Sequence, residues 1–294
     1  MTTVTDLSNA LAGAVERASK SMVAVHGRAR LPSTGVLWRD GLVVTANHTV
    51  ETDGDVPLIG PAGERLAARV AGRDAGLDIA VLRADASGLA VADVADDGEL
   101  RVGHLVLALG SGPRASAGIV SALSLRGESK TDDAIAVDLT LYPGFSGGPL
   151  IDVAGRVVGV TTSGASRHLQ CAVRAGAVGR LVEQVVRTGR IPRAYLGVAT
   201  QPVELPDQVR DRLHLAQRTA VIAVNVRADG PAAAAGLMLG DVIVSIGGVT
   251  VAEPGDLLGA LRPERVGGVV AVSILRGGEP RDLQVTVGER PPRA

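Results

Sequence analysis

Leu7, Ala10, Leu11, Ala14 and Val15 recur at intervals of three and four, the spacing of one helical face, so residues 6–22 are expected to form a short amphipathic helix. Residues 1–22 then make an N-terminal arm that packs on the first domain. From Met22 the period drops to two. Short apolar or alternating runs at residues 22–26, 41–45, 79–82, 105–109, 119–123, 135–137 and 156–160, separated by turn clusters, predict an all-β barrel or sandwich. Helical spacing returns at Val178, Leu181, Val182, Val185 and Val186 and stops at Gly189, which predicts a helix over 175–188 that closes a first domain of residues 23–188. Residues 189–194, with Pro192, are expected to be a linker. Residues 195–290 carry a second strand-rich pattern with helical patches at 205–213 and 254–261, and about a hundred residues suffice for an independent module.

Composition removes whole classes of function. The 294 residues suit one large or two modest domains, each with its own core. Lys and Arg number 30 against 31 Asp and Glu, so no global field draws in nucleic acid or an anionic membrane. With 1 Trp, 2 Tyr and 1 Phe the cores must be aliphatic, and base-stacking platforms are absent. Mean hydropathy is +0.26, yet no apolar run approaches the ~20 residues that span a bilayer. The single Cys171 closes no intrachain disulfide. Residues 1–7 show neither a basic segment nor an apolar leader, so the sequence as given predicts a cytoplasmic location. No metal is expected, because His26, His104, His168 and His214 share no ligand spacing with each other or with Cys171. No cofactor is expected either: the glycine-rich turn at 110–115 contains Pro113 and leads into a strand, with no helix to cradle a phosphate.

Chemistry concentrates in Tyr-Pro-Gly-Phe-Ser-Gly-Gly-Pro-Leu at 142–150. Glycines on both sides of Ser146 allow a tight turn that projects the hydroxyl. The same turn can aim the N–H groups of Gly144 and Ser146 at one point, as an oxyanion forming on a scissile carbonyl requires. A serine hydroxyl is unreactive alone and needs a base held by a third group. His48, at the end of an apolar strand, is the candidate base. Asp78, at the start of another, is the candidate partner for its Nδ1–H. Asp74, with polar neighbours, is the rival partner and is expected to sit in a solvated turn.

These segments, Thr-Ala-Asn-His at 45–48, Asp-Ile-Ala-Val-Leu at 78–82 and Gly-Phe-Ser-Gly-Gly-Pro at 144–149, followed by Tyr-Leu-Gly-Val at 195–198, resemble the HtrA (Deg) serine proteases over roughly residues 6–287. The resemblance implies a mostly β chain: a chymotrypsin/trypsin-like double β-barrel followed by a smaller α+β PDZ domain. It implies ATP-independent endoproteolysis of unfolded or damaged proteins, assembly into homotrimers or their multiples, and an extracytoplasmic location. His48 becomes general base, Asp78 its orienter and Ser146 the nucleophile, with the Gly144 and Ser146 N–H groups as oxyanion hole. In the second module, Tyr195, Leu196, Gly197 and Val198 match the loop that receives a peptide C-terminus, and Leu257, Leu258 and Leu261 face the peptide groove.

Three positions depart from the family pattern. Phe145 replaces a common Asn and is expected to alter access to Ser146. Pro143 fixes one φ in the oxyanion loop. Thr49 stands where Val is common. At the specificity pocket, Thr140 occupies the place where basic-specific relatives carry an acid. Leu139, Leu141, Thr161, Thr162 and Ser163 are the expected walls, which predicts small or aliphatic P1 residues. Pro143 and Phe145 also motivate an alternative: a catalytically idle peptide-binding scaffold or chaperone that keeps a protease fold.

Overall fold

The computed structural model describes residues 3–29, 31–112, 114–124, 133–164, 166, 169–192, 194–262 and 265–290. Pro113, His168 and Arg193 of the expected linker lie outside them. The chain divides into two units, Met1–Ile191 and Pro192–Ala294.

The first unit holds two closed six-stranded barrels. The first barrel comprises β1 (Met22–Val25), β2 (Ser33–Arg39), β3 (Leu42–Ala46), β4 (Asp55–Ile59), β5 (Arg65–Asp74) and β6 (Ile79–Ala84), ordered β1-β2-β3-β6-β5-β4. The second comprises β7 (Leu105–Gly110), β8 (Arg114–Ala122), β9 (Ala134–Asp138), β10 (Pro149–Ile151), β11 (Val157–Thr162) and β12 (Cys171–Arg174), ordered β10-β11-β12-β9-β8-β7. Val25, Leu37, Val43 and Leu82 fill the first barrel. The opposite faces of the same strands, with Val36, Val44 and Val81, join Leu109, Val160 and Val173 of the second barrel in one cluster. Both faces of β3 are therefore buried, which is why it reads as an unbroken apolar run.

Helix α1 (Val4–Ser19) begins at a capping box in which Thr3 and Asp6 bond each other's backbone N–H. It buries Ala14 and Ala18 and packs on β7 and β10. Helix α2 (Ala175–Thr188) spends Val178, Leu181, Val182 and Val185 on the shared cluster and ends at Gly189 in the left-handed region, φ 77°. Cys171 is fully buried, and burial pushes its thiol up to about 11. It behaves as a small core residue with no reactive thiolate near neutral pH.

The second unit is built on β14 (Val198–Glu204), β15 (Thr219–Val226), β16 (Val242–Ile246), β18 (Val269–Arg276) and β19 (Glu279–Thr286) in that order, with β17 (Val249–Thr250) against β16. A separate pair joins β13 (Ala194–Tyr195) to β20 (Gly288–Glu289). Helices α3 (Asp207–Leu213), α4 (Pro231–Ala234) and α5 (Pro254–Ala260) complete it, and α5 lies against β14. Among the described residues no helix is long and apolar enough to cross a membrane, and no cluster of His, Cys, Asp and Glu could hold a metal ion.

One ion pair ties this unit together. Asp241 is 1% exposed and accepts two bonds of 2.8 Å from Arg276 and one of 2.7 Å from Met238 N–H. Burial alone would raise the carboxyl, but the Arg276 and Met238 bonds outweigh it and hold Asp241 below the usual carboxylate range. A depressed carboxyl contributes stability that is full above its unfolded pKa of ~3.9 and is lost as pH falls through the folded value. Asp241→Ala is expected to lower the stability of this unit by about 3 kcal/mol, since it strands a partly buried guanidinium. Urea titration at pH 7 should show the loss, and acidification below about pH 4 should narrow the gap between variant and parent.

Candidate active site

His48 sits in a short 3-10 turn, Asn47–Thr49, that follows β3 directly. Thr49 fixes this turn: its Oγ1 donates to Ala46 O at 2.8 Å and accepts from Ser33 Oγ at 2.9 Å. The hydroxyl that departs from the family pattern thus serves as a local cap. Asp78 precedes β6 with φ 58°, one of two non-glycine positive values among the described residues. Such a conformation is tolerated by aspartate but strained, at of order 1–3 kcal/mol, and is kept only where surrounding bonds hold it. Asn47 N–H donates to Asp78 O at 2.9 Å. Asp74 is 3% exposed, against the expected solvated turn. Its Oδ1 accepts from Gly76 and Leu77 N–H at 2.8 and 3.0 Å, which shapes the bend that delivers Asp78.

The Asp78 carboxylate is surrounded by donors. Oδ1 accepts His48 N–H at 2.8 Å, and Oδ2 meets His48 Nδ1 at 2.6 Å. Thr162, the last residue of β11 in the other barrel, donates its hydroxyl to the same Oδ2. A Cβ at Gly164 would fall 2.3 Å from that oxygen, so this position admits only glycine. With its Nδ1 committed to Asp78, the imidazole leaves Nε2 as the available nitrogen.

Ser146 lies in the turn before β10, held by Thr34 N–H donating to its carbonyl at 3.1 Å. Its Oγ is 3.3 Å from Ser163 Oγ, which is in turn 3.4 Å from His48 Nε2. The structure thus links Ser146, His48 and Asp78 in one chain of contacts, with Ser163 bridging serine and imidazole. The N–H groups of Phe145, Gly147 and Gly148 donate to Tyr142 O, Thr161 O and Phe145 O. Those of Gly144 and Ser146 have no acceptor among the described residues. Gly144 has φ 92°.

Several expectations are corrected. The Phe145 ring does not screen Ser146. It is fully buried with Leu150 and Val106 in the second barrel, edge-on to Tyr142 at 5.6 Å. Thr161 and Thr162 are fully buried and offer no pocket wall. Thr161 Oγ1 donates to the carbonyl of Phe145 at 2.7 Å, with the carbonyl of Gly148 3.1 Å away, and so braces the serine turn. Leu139 is 9% exposed, Leu141 is half-buried, and Thr140 is exposed. In the second unit, Leu196 and Leu257 spend nearly all their surface in the core, at 2% and 5% exposure. Tyr195, Val198, Leu258 and Leu261 keep surface, and the N–H groups of Leu196 and Gly197 have no acceptor among the described residues. The roles of Thr162 and Ser163 went unread, although the Thr-Thr-Ser run at 161–163 was the available signal.

Residues 33–160 match the trypsin-like peptidase domain family and residues 194–287 the PDZ domain family. A "Probable periplasmic serine endoprotease DegP-like" of Brucella suis biovar 1 (strain 1330) is 35% identical over 269 residues, covering 87% of this chain and 52% of that protein. The Rhizobium meliloti (strain 1021) protein of the same name is 31% identical over 280 residues, covering 90% and 55%. The chain therefore spans about half the length of the curated relatives it matches. Among solved structures, the HtrA-type protease AlgW with decapeptide superposes at TM-score 0.65 with 25% identity over 96% of this chain and 99% of that one. The serine endoprotease from Yersinia pestis gives 0.63 and 25% over 96% and 98%. The chain therefore carries a trypsin-like peptidase domain followed by a PDZ domain, and over nearly its whole length it is similar to HtrA-type proteases.

Proposed function

We propose that this chain is a serine endopeptidase that cleaves unfolded or damaged polypeptides without ATP. Ser146 Oγ attacks the scissile carbonyl, and its proton passes to His48 Nε2, with the Ser163 hydroxyl bridging the two. Asp78 holds Nδ1–H and stabilises the imidazolium that forms. The Gly144 and Ser146 N–H groups receive the oxyanion. The imidazolium then protonates the leaving amine, and water completes the cycle through the acyl-enzyme. The observation that carries this reading is the 2.6 Å contact of His48 Nδ1 with a carboxylate that already holds two further donors. An idle scaffold is not favoured, because the inward Phe145 ring removes its main motive.

Thr140 places no charge at the expected base of the pocket, which suits small or aliphatic P1 residues. The PDZ module is read as binding peptide C-termini or apolar segments. Strand β14 ends its sheet and can accept an added strand, and the unoccupied N–H groups of Leu196 and Gly197 suit a terminal carboxylate. The relatives named periplasmic support an extracytoplasmic site of action, and a homotrimer or its multiple is the assembly proposed.

A fluorophosphonate probe should label the protein once per chain, and Ser146→Ala should abolish labelling. That variant should lose at least about 10⁴-fold in kcat/KM against an unfolded substrate, with stability within about 0.5 kcal/mol of the parent. Labelling that survives in Ser146→Ala refutes the nucleophile assignment. Thr162→Val removes one donor from Asp78 and should lower kcat about tenfold, the equivalent of one hydrogen bond of ~1.4 kcal/mol, with KM little changed in steady-state kinetics.

A further inference from the structure

The Pro143–Gly144 peptide carries one of the two oxyanion donors. A trans peptide is planar, with its C=O and N–H pointing in opposite directions. Whatever holds the Pro143 carbonyl therefore decides where the Gly144 N–H points. Glycine at φ 92° resists a reversal of this peptide least of all residues, so an external restraint is needed.

One side chain supplies it. Arg114, at the start of β8, donates from Nη1 to Pro143 O at 3.1 Å and from Nε to Ser111 O at 3.2 Å. Its guanidinium lies 5.4 Å from the centroid of the Phe145 ring, a cation–π contact on the residue before the nucleophile. A Cβ at Gly144 would approach Arg114 Nη2 to 2.9 Å, so the arginine rests directly on the loop. The next carbonyl is held as well: Thr34 Oγ1 donates to Gly144 O at 2.7 Å and accepts from Ser111 N–H at 2.8 Å. Arg114, Pro143, Gly144, Thr34 and Ser111 thus form a closed ring of bonds. Thr34 is fully buried, whereas Arg114 is exposed. Among the described residues Arg114 has no carboxylate partner, and its two bonds both go to main-chain carbonyls.

The geometry points to Arg114 as a positioning residue that fixes the Pro143–Gly144 peptide with its N–H directed into the oxyanion hole. It touches neither the nucleophile nor the base and acts through the peptide. Without it the peptide is free to turn, presenting a carbonyl oxygen where negative charge develops in the transition state. This inference rests on the acyl-transfer reading above.

The test uses the full chain with Arg114→Ala and Arg114→Lys, beside the parent and Ser146→Ala. Arg114→Ala is expected to lower kcat 10- to 100-fold with KM within about twofold, and to weaken a peptide-aldehyde inhibitor, which mimics the oxyanion, by a similar factor. The midpoint of the pH–rate profile should stay in place, because the His48–Asp78 pair is untouched. Arg114→Lys, a point donor without the planar fork, should recover part of the loss, as should added guanidinium ion with Arg114→Ala. The inference is overturned if Arg114→Ala keeps kcat within twofold of the parent, or raises KM alone. It is also overturned if the aldehyde binds parent and variant equally. If Arg114→Ala does not fold, Arg114→Lys decides on the same readouts. Failure of the parent reading is separate: it would appear as a parent protein that neither reacts with fluorophosphonate nor differs from Ser146→Ala.

Discussion

The site depends on a carboxylate that two barrels share. Asp78 is delivered by the first barrel in a left-handed backbone conformation, and its Oδ2 takes both the His48 ring and the Thr162 hydroxyl from the second. A nearly buried aspartate with so many donors has little freedom to move, so the imidazole it orients is fixed too. That arrangement requires the barrels to pack in one register. The aliphatic cluster of Val36, Val44, Val81, Leu109, Val160 and Val173 provides it, since each fully buried side chain of this size contributes roughly 1.5–3 kcal/mol. The serine turn is tied across the same seam. A Cβ at Gly147 would come within 2.1 Å of Thr34 O, so the second barrel's turn lies directly on the first barrel's β2.

How much of this could be read beforehand depends on whether each signal is local. Helix α2 was readable to the residue because its apolar stripe and its Gly189 stop are both local. The helical patches at 205–213 and 254–261 became α3 and α5 for the same reason. Strand β2 escaped notice. Its residues are buried at six of seven positions, but Ser33, Thr34 and Gly35 break the apolar run, and their burial is due to tertiary contacts. Strand β10 is three residues long and is hidden behind the motif that it carries.

The site divides along the same line. His48, Asp78 and Ser146 stand in distinctive local words, and the structure brings them together. The inward Phe145 ring is not legible, because sequence does not say which way a ring in a turn points. It turned inward, since the second barrel had room beside Gly110, where a Cβ would meet the ring at 2.5 Å. Thr161 and Thr162 look like pocket lining in a strand at the right offset. Only the position of Asp78 across the seam reveals that one of them is a donor. Arg114 carries no motif, and its meaning comes from a carbonyl 29 residues away.

The chain's one sulfhydryl, Cys171, lies sealed in the second barrel. Sealed in that way it forms no mixed disulfides and is shielded from glutathione and peroxide alike. The folded state is therefore indifferent to ambient redox poise. Its covalent connectivity is therefore the same in a reducing and in an oxidising compartment.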